Sequence, residues 1–181
     1  MEAQRVKTNI ALIGFMGTGK SSVGGMLARR LGRKFIELDA LIEQKAGKSI
    51  PEIFHHDGEI GFRELEIQTI KGIEAEKNVV IACGGGVVLN KINIDRLKES
   101  GVIIYLTASP NVILKRTSRD NLVRPLLNVD DPVSRIKELL KFRKPSYERA
   151  ADITINTTRL NVDGVVGKII EALKGNESFH I

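Results

Sequence analysis

An apolar run, Asn9 to Gly14 (NIALIG), leads into GFMGTGKS, Gly14 to Ser21, and from Lys20 to Leu31 the residues Val23, Leu27, Ala28 and Leu31 recur at helical spacing. A G-x-x-x-x-G-K-[ST] pattern in that setting commits the chain to a strand, a tight glycine turn and a helix in succession. Glycines at this density let successive backbone N–H groups, those of Gly17, Thr18 and Gly19 among them, curl around phosphate oxygens. The helix that opens at Lys20, Ser21 and Ser22 adds the positive end of its dipole. Lys20 supplies charge to the β and γ phosphates, and Ser21 offers an oxygen to Mg2+. A turn that merely starts a helix is the bland alternative, and the strand before and helix after weigh against it.

Four further short runs of β-branched or apolar residues follow: Lys34 to Leu38 (KFIEL), Val79 to Cys83 (VVIAC), Val102 to Leu106 (VIIYL) and Asp152 to Asn156 (DITIN). Helical patterns separate them. Near-continuous apolar strands alternating with helices predict an α/β fold with a five-stranded parallel sheet covered on both faces, because parallel strands need crossover connections. The 181 residues amount to one domain, and 42% hydrophobic with 28% charged residues excludes a disordered chain. The apolar stretch from Ile10 to Met16 is far too short to span a bilayer, so no membrane partner is expected. One cysteine, Cys83, permits neither an internal disulfide nor a paired metal spacing, which fits a reducing, cytoplasmic compartment. Lys and Arg number 28 against 22 Asp and Glu, so an anionic partner is favoured. The basic residues are scattered and aromatics are only 4%, so nucleic acid is not the expected partner. A nucleotide-dependent nucleic-acid-binding module is the rival from another class, and it predicts strongly salt-sensitive affinity.

Phosphate-binding loops that serve hydrolysis or transfer commonly have an acid at the end of a neighbouring strand. Here Val79 to Cys83 runs into Gly84, Gly85 and Gly86, and Val102 to Leu106 runs into Thr107. The acids come instead from KFIELD, which places Glu37 and Asp39 at the carboxyl end of the second strand, where two-residue spacing puts both on one side. Asp39 as the N-cap of the next helix is the alternative. Gly84 to Gly86 reads either as close approach of backbone to a ligand or as a plain strand exit. Ser118 to Asp131 (SRDNLVRPLLNVDD) is a long polar connection of the kind that is usually functional or disordered. His55 and His56, in a polar turn beside Asp57 and Gly58, and His180, in the terminal tail, are assigned no metal or acid–base role. Cys83 reads as a small buried hydrophobe.

Together with the phosphate loop, FIELDALIE, DGEIGFRELE, ACGGG, the RPLL of the long connection and FRKPSYERAAD resemble the shikimate kinase family, from about Asn9 to Leu173. The resemblance implies a three-layer α/β/α P-loop kinase fold similar to nucleoside monophosphate kinases. It also implies ATP as co-substrate, Mg2+, and phosphorylation of the 3-hydroxyl of shikimate on the route to aromatic amino acids. It further implies one domain over 1–181, a substrate-binding region at about 39–66 and a lid at about 117–131. Asp39 falls on the acid that contacts the acceptor hydroxyl, and Glu37 on the Mg2+-associated acid, where the family usually has Asp. Arg63 and Arg143 fall on the arginines that hold the substrate carboxylate, and Gly84, Gly85 and Gly86 on the glycines lining its hydroxyl side. Arg124 matches the lid arginine over the phosphates and Arg116 the position against adenine. Asn156 to Val162 (NTTRLNV) resembles the adenine loop without its frequent proline.

Chemistry alone agrees in part. A guanidinium fork matches a carboxylate bidentately, which suits Arg63 and Arg143 to a small organic acid. Equally, Arg63 lies at helical spacing from Glu59 and Glu66, as a surface ion pair would, and Arg143 sits in KFRK, as on an exposed helical face. Arg124 in a lid-like loop fits a charge that arrives on closure. The expected reaction is in-line phosphoryl transfer driven by positioning and by Lys20, Arg124 and Mg2+, in a monomer. A related kinase acting on another acceptor, such as gluconate, is the alternative.

Overall fold

The computed structural model describes residues 7–119, 125–127 and 129–179. Five strands, β1 (Asn9–Ile13), β2 (Lys34–Glu37), β3 (Val79–Ala82), β4 (Gly101–Thr107) and β5 (Ile153–Asn156), form one parallel sheet in the order β2-β3-β1-β4-β5. Each sits within about a residue or two of its apolar run. In register, Ile10 lies between Val80 and Val102, and Leu12 between Ala82 and Ile104. The central strands are buried along their length because both faces of the sheet are covered.

Among the described residues seven α-helices supply that cover: α1 (Lys20–Leu31), α2 (Leu38–Ala46), α3 (Ile50–Gly72), α4 (Lys91–Ser100), α5 (Pro110–Thr117), α6 (Pro132–Ala150) and α7 (Val162–Lys174). Strand alternation sorts them into layers. Ile10 and Leu12 pack with Val23 and Leu27 of α1 and with Val166 and Ile169 of α7. Ala11 and Ile13 face the other way, onto Ile42, Ile53, Ile70, Leu97 and Tyr147 from α2, α3, α4 and α6. A third cluster, Phe15, Ile113, Ile136 and Leu139, closes the carboxyl end beneath α5 and α6. This is the expected three-layer α/β/α architecture.

Helix starts follow local chemistry. α3 opens with a capping box, in which the Ser49 hydroxyl accepts from the Glu52 N–H and the Glu52 carboxylate accepts from the Ser49 N–H at 2.7 Å. Asp131 and Asn161 cap α6 and α7 by accepting from the backbone N–H of Ser134 and Gly164. Among the described residues, no helix is long and apolar enough to cross a membrane. His55 and His56 lie within α3 rather than in the expected turn, since the helix continues through them to Asp57.

Candidate active site

The strand order reverses at β1, and the crevice outside the carboxyl ends of β1, β3 and β4 is where an open α/β sheet takes a ligand. Gly14 leaves β1 at φ 147°, close under the Leu106 carbonyl, where any Cβ would overlap it. The turn is then fixed from within: Thr18, buried, donates its hydroxyl to the Phe15 carbonyl at 2.7 Å. Lys20 Nζ donates to the Gly14 and Phe15 carbonyls, both at 2.9 Å, which holds the ammonium at the mouth of the loop. Gly19 caps α1 in the left-handed region at φ 97°. The first turn of α1 carries no acidic side chain, so its positive end is left for an anion. Ser22 is exposed on that turn.

Glu37 and Asp39 reach the same end of the sheet by a different route from the one their spacing suggested. β2 stops at Glu37, which is itself the N-cap of α2, and Asp39 stands in the first helical turn. The two-residue strand argument therefore does not apply, and Asp39 is not the cap. Burial, chiefly, raises the Glu37 carboxyl above its usual range; a hydrogen bond from the Ser21 side chain opposes this, Asp39 adds to it and Lys20 opposes it. Ser21 and Glu37, the expected metal pair, thus meet beside Lys20 and Asp39. A hydroxyl and a carboxylate are hard oxygen donors, and Mg2+ commonly takes one or two protein oxygens beside phosphate and water, so the pair fits that ion.

Across from them lies the Gly84–Gly86 loop. A Cβ on Gly84 would stand 2.9 Å from Asp39 Oδ1 and 3.2 Å from Glu66 Oε1, and one on Gly86 would overlap the Arg63 guanidinium. A side chain at Gly84 or Gly86 would have to displace these acids or the arginine. Arg143 is only 3% exposed; it donates from Nη1 to the Gly85 carbonyl at 3.3 Å and lies 5.9 Å from the Phe15 ring centroid. The Tyr147 hydroxyl donates to the same carbonyl, and its ring stacks on Tyr105 at 4.8 Å. Arg143 is therefore a buried residue, not part of an exposed basic face. Its Nε–H and that of Arg63 are buried without a hydrogen-bond partner among the described residues.

Arg63 is pinned on its other edge. Nη1 donates to both oxygens of Glu66 at 3.2 Å and Nη2 donates to Glu59 at 3.2 Å, while the guanidinium sits 5.0 Å from the Phe62 ring centroid. The helical ion pair read from the sequence is present, and it holds the arginine against Gly86 rather than in solvent. Glu66 is 0% exposed and also accepts from Asn93 Nδ2 at 3.4 Å. Burial raises its carboxyl to about 7, against the opposing pull of Arg63. Cys83, at the end of β3, is buried with its thiol pushed up by the same desolvation.

Beside the phosphate loop, Arg116 donates from Nη1 to the Gly17 carbonyl at 3.2 Å and from Nη2 to the Thr157 carbonyl at 3.1 Å. The Thr157 hydroxyl accepts from Arg116 at 3.0 Å and lies 3.0 and 3.2 Å from the carbonyls of Thr107 and Thr18. Arg116 thereby ties the phosphate loop to the loop after β5. Arg124 and His180 lie outside the described residues. Sequence reasoning did not assign Glu66, Asn93, Tyr147, Phe15 or Thr157 to the site. For Glu66 and Tyr147 a signal existed, since both fall on the buried stripe of their helices.

The sequence model of the family described as shikimate kinase matches residues 16–174. A shikimate kinase from Thermodesulfovibrio yellowstonii is 51% identical over 163 residues, covering 90% of this chain and 93% of the relative. The solved structure of shikimate kinase from Acinetobacter baumannii in complex with shikimate superposes with a TM-score of 0.90 at 39% identity, covering 96% of both chains. A gluconokinase from Sinorhizobium meliloti reaches a TM-score of 0.57 at 18% identity, covering 96% of this chain and 99% of its own, a likeness of fold alone.

Proposed function

The chain belongs to the shikimate kinase family, and from that premise we propose how its residues transfer the γ-phosphoryl group of ATP to the 3-hydroxyl of shikimate, giving shikimate 3-phosphate and ADP. The backbone of Gly17, Thr18 and Gly19 and the start of α1 through Ser22 cradle the phosphates, with the Lys20 ammonium held at the mouth of the loop. Arg116 borders the adenine side, and Arg124 is assigned to a lid of about 117–131. Ser21 and Glu37 would hold Mg2+, which when bound neutralises charge on the transferring phosphoryl group.

Asp39 orients the acceptor hydroxyl and takes its proton. In a loose transition state that proton leaves late, so alignment is the carboxylate's main duty. Arg63 and Arg143 bind the substrate carboxylate, and Gly84 to Gly86 let the ring lie close to the backbone; Asp39 and Arg63 belong to a substrate-binding region of about 39–66. The observation that carries this division of labour is that Arg63 and Arg143 both lie against the glycine loop that Asp39 also abuts, each with a buried Nε–H that has no hydrogen-bond partner among the described residues. Buried N–H groups of that kind are costly without an acceptor, and a carboxylate supplies one.

The chain is read as one domain, working as a monomer in the cytoplasm; the lone cysteine suits a reducing compartment. The test is ADP release with shikimate, gluconate or no acceptor, beside light scattering for mass. Shikimate should stimulate release strongly and gluconate should not. Equal stimulation by gluconate, or none by shikimate, would overturn the assignment.

A further inference from the structure

α3 is not one continuous helix. Gly58 breaks it at φ 69°, ψ −176°, a conformation open essentially to glycine alone. Space is not the reason for glycine there, because a Cβ on Gly58 would meet nothing within 4 Å. The requirement lies in the backbone.

The pattern of burial says why a break is needed. Ile53 and Phe62, both buried, are nine residues apart, so an unbroken helix at about 100° per residue would set them on opposite faces. The same holds for the sets they belong to. Ile50, Ile53 and Phe54 form one stripe, and Phe62, Glu66, Thr69 and Ile70 form another, out of phase by roughly 150°. Both stripes nevertheless face the same core. Across the break the Phe54 and Phe62 rings come within 4.9 Å of each other, tilted by 36°. The turn is tight: a Cβ on Gly61 would stand 2.6 Å from Asp57 Cβ, whereas Cβ atoms one helical turn apart are about 5–6 Å apart.

The consequence reaches the site through adjoining residues. Phe62 is fixed by Phe54, the Arg63 guanidinium lies against the Phe62 ring, and Arg63 abuts Gly86 while Glu66 abuts Gly84. We propose that Gly58 is a positioning residue for the acid-binding half of the site: its break in α3 sets the phase that turns Arg63 toward the substrate carboxylate. This rests on the reading that Arg63 binds that carboxylate.

The experiment is a double-mutant cycle of Gly58→Ala and Arg63→Ala, read as KM for shikimate and KM for ATP. Gly58→Ala should raise the KM for shikimate by about tenfold or more and leave that for ATP within about twofold, because small displacements of a positioning group weigh heavily. In the Arg63→Ala background the same change should add less than about twofold, since coupled residues are not additive. If Arg63→Ala leaves the shikimate KM unchanged, the carboxylate reading fails and the proposal with it. Should Arg63→Ala raise it while Gly58→Ala does not, or should Gly58→Ala act equally in both backgrounds, the positioning role alone is overturned. If Gly58→Ala does not fold, Gly61→Ala, which strains the same turn through Asp57, replaces it in the cycle with the same two outcomes.

Discussion

Glu66 makes the protein's stability depend on pH in a direction opposite to that of most carboxylates. Its side chain has no exposure, and although Arg63 and Arg143 favour its charge, loss of solvation dominates and lifts the carboxyl from 4.5 to about 7. A carboxyl raised in the folded state keeps its proton there while the unfolded chain has lost it. Its favourable contribution is therefore complete below about pH 4.5 and is lost as pH rises to about 7, beyond which it changes no further. At about 1.4 kcal/mol per unit of displacement, the loss across that window is about 3 kcal/mol.

Glu66→Gln removes the titration while keeping nearly the same shape and a hydrogen-bonding group toward Arg63 and Asn93. The expected outcome is a difference in unfolding free energy that is small near pH 4.5 and grows until the variant is more stable by about 3 kcal/mol at pH 8. Urea unfolding of both proteins at intervals from pH 4.5 to 8.5 measures it. Any constant offset from the altered contact with Arg63 cancels in the slope, so the slope is the quantity to read. Parallel curves, or a variant less stable than the parent at pH 8 by an amount independent of pH, would show that Glu66 ionises normally and that burial does not govern it.

Two further outcomes concern the reaction. Asp39→Asn should lower kcat by about two orders of magnitude or more with ATP affinity nearly unchanged, since the carboxylate lies against Gly84 on the acceptor side assigned above; calorimetric titration with ATP and steady-state turnover separate the two, and near-normal turnover would remove Asp39 from the mechanism. Arg143→Ala should weaken shikimate binding by about 2–5 kcal/mol, the range for losing one partner of a buried charge pair, with ATP titration unaffected; loss confined to ATP would contradict its placement on the acid side.

The sheet was legible because each strand announces itself as a short β-branched run between helical patterns, and the five runs coincide with the five strands. The phosphate loop was legible because its residue types are dictated by contact with phosphate, whatever else the fold does. Asp39 was placed at the right end of the sheet for the wrong reason. A strand and the first turn of a helix can each carry an acid to that edge, and in KFIELD nothing local marks the change at Leu38.

Arg143 and Glu66 were the harder residues, and they were hard in the same way. Read by neighbours, Arg143 belongs to a basic cluster and Glu66 to a surface ion pair. Read by phase, each belongs elsewhere: Ile136, Leu139, Arg143, Tyr147 and Ala150 make one buried stripe of α6, and Phe62, Glu66, Thr69 and Ile70 make one of α3. A charged residue on such a stripe must be desolvated, which is costly unless a partner or ligand meets it. The two stripes that contain a charge are the two that converge on the Gly84–Gly86 loop, Glu66 at Gly84 and Arg143 at Gly85. A site of this kind is thus written into the sequence as an interruption of helical hydrophobic phase. It becomes readable once the phase is followed across the break at Gly58, where a single continuous helix would have turned Glu66 about 140° away from Ile53.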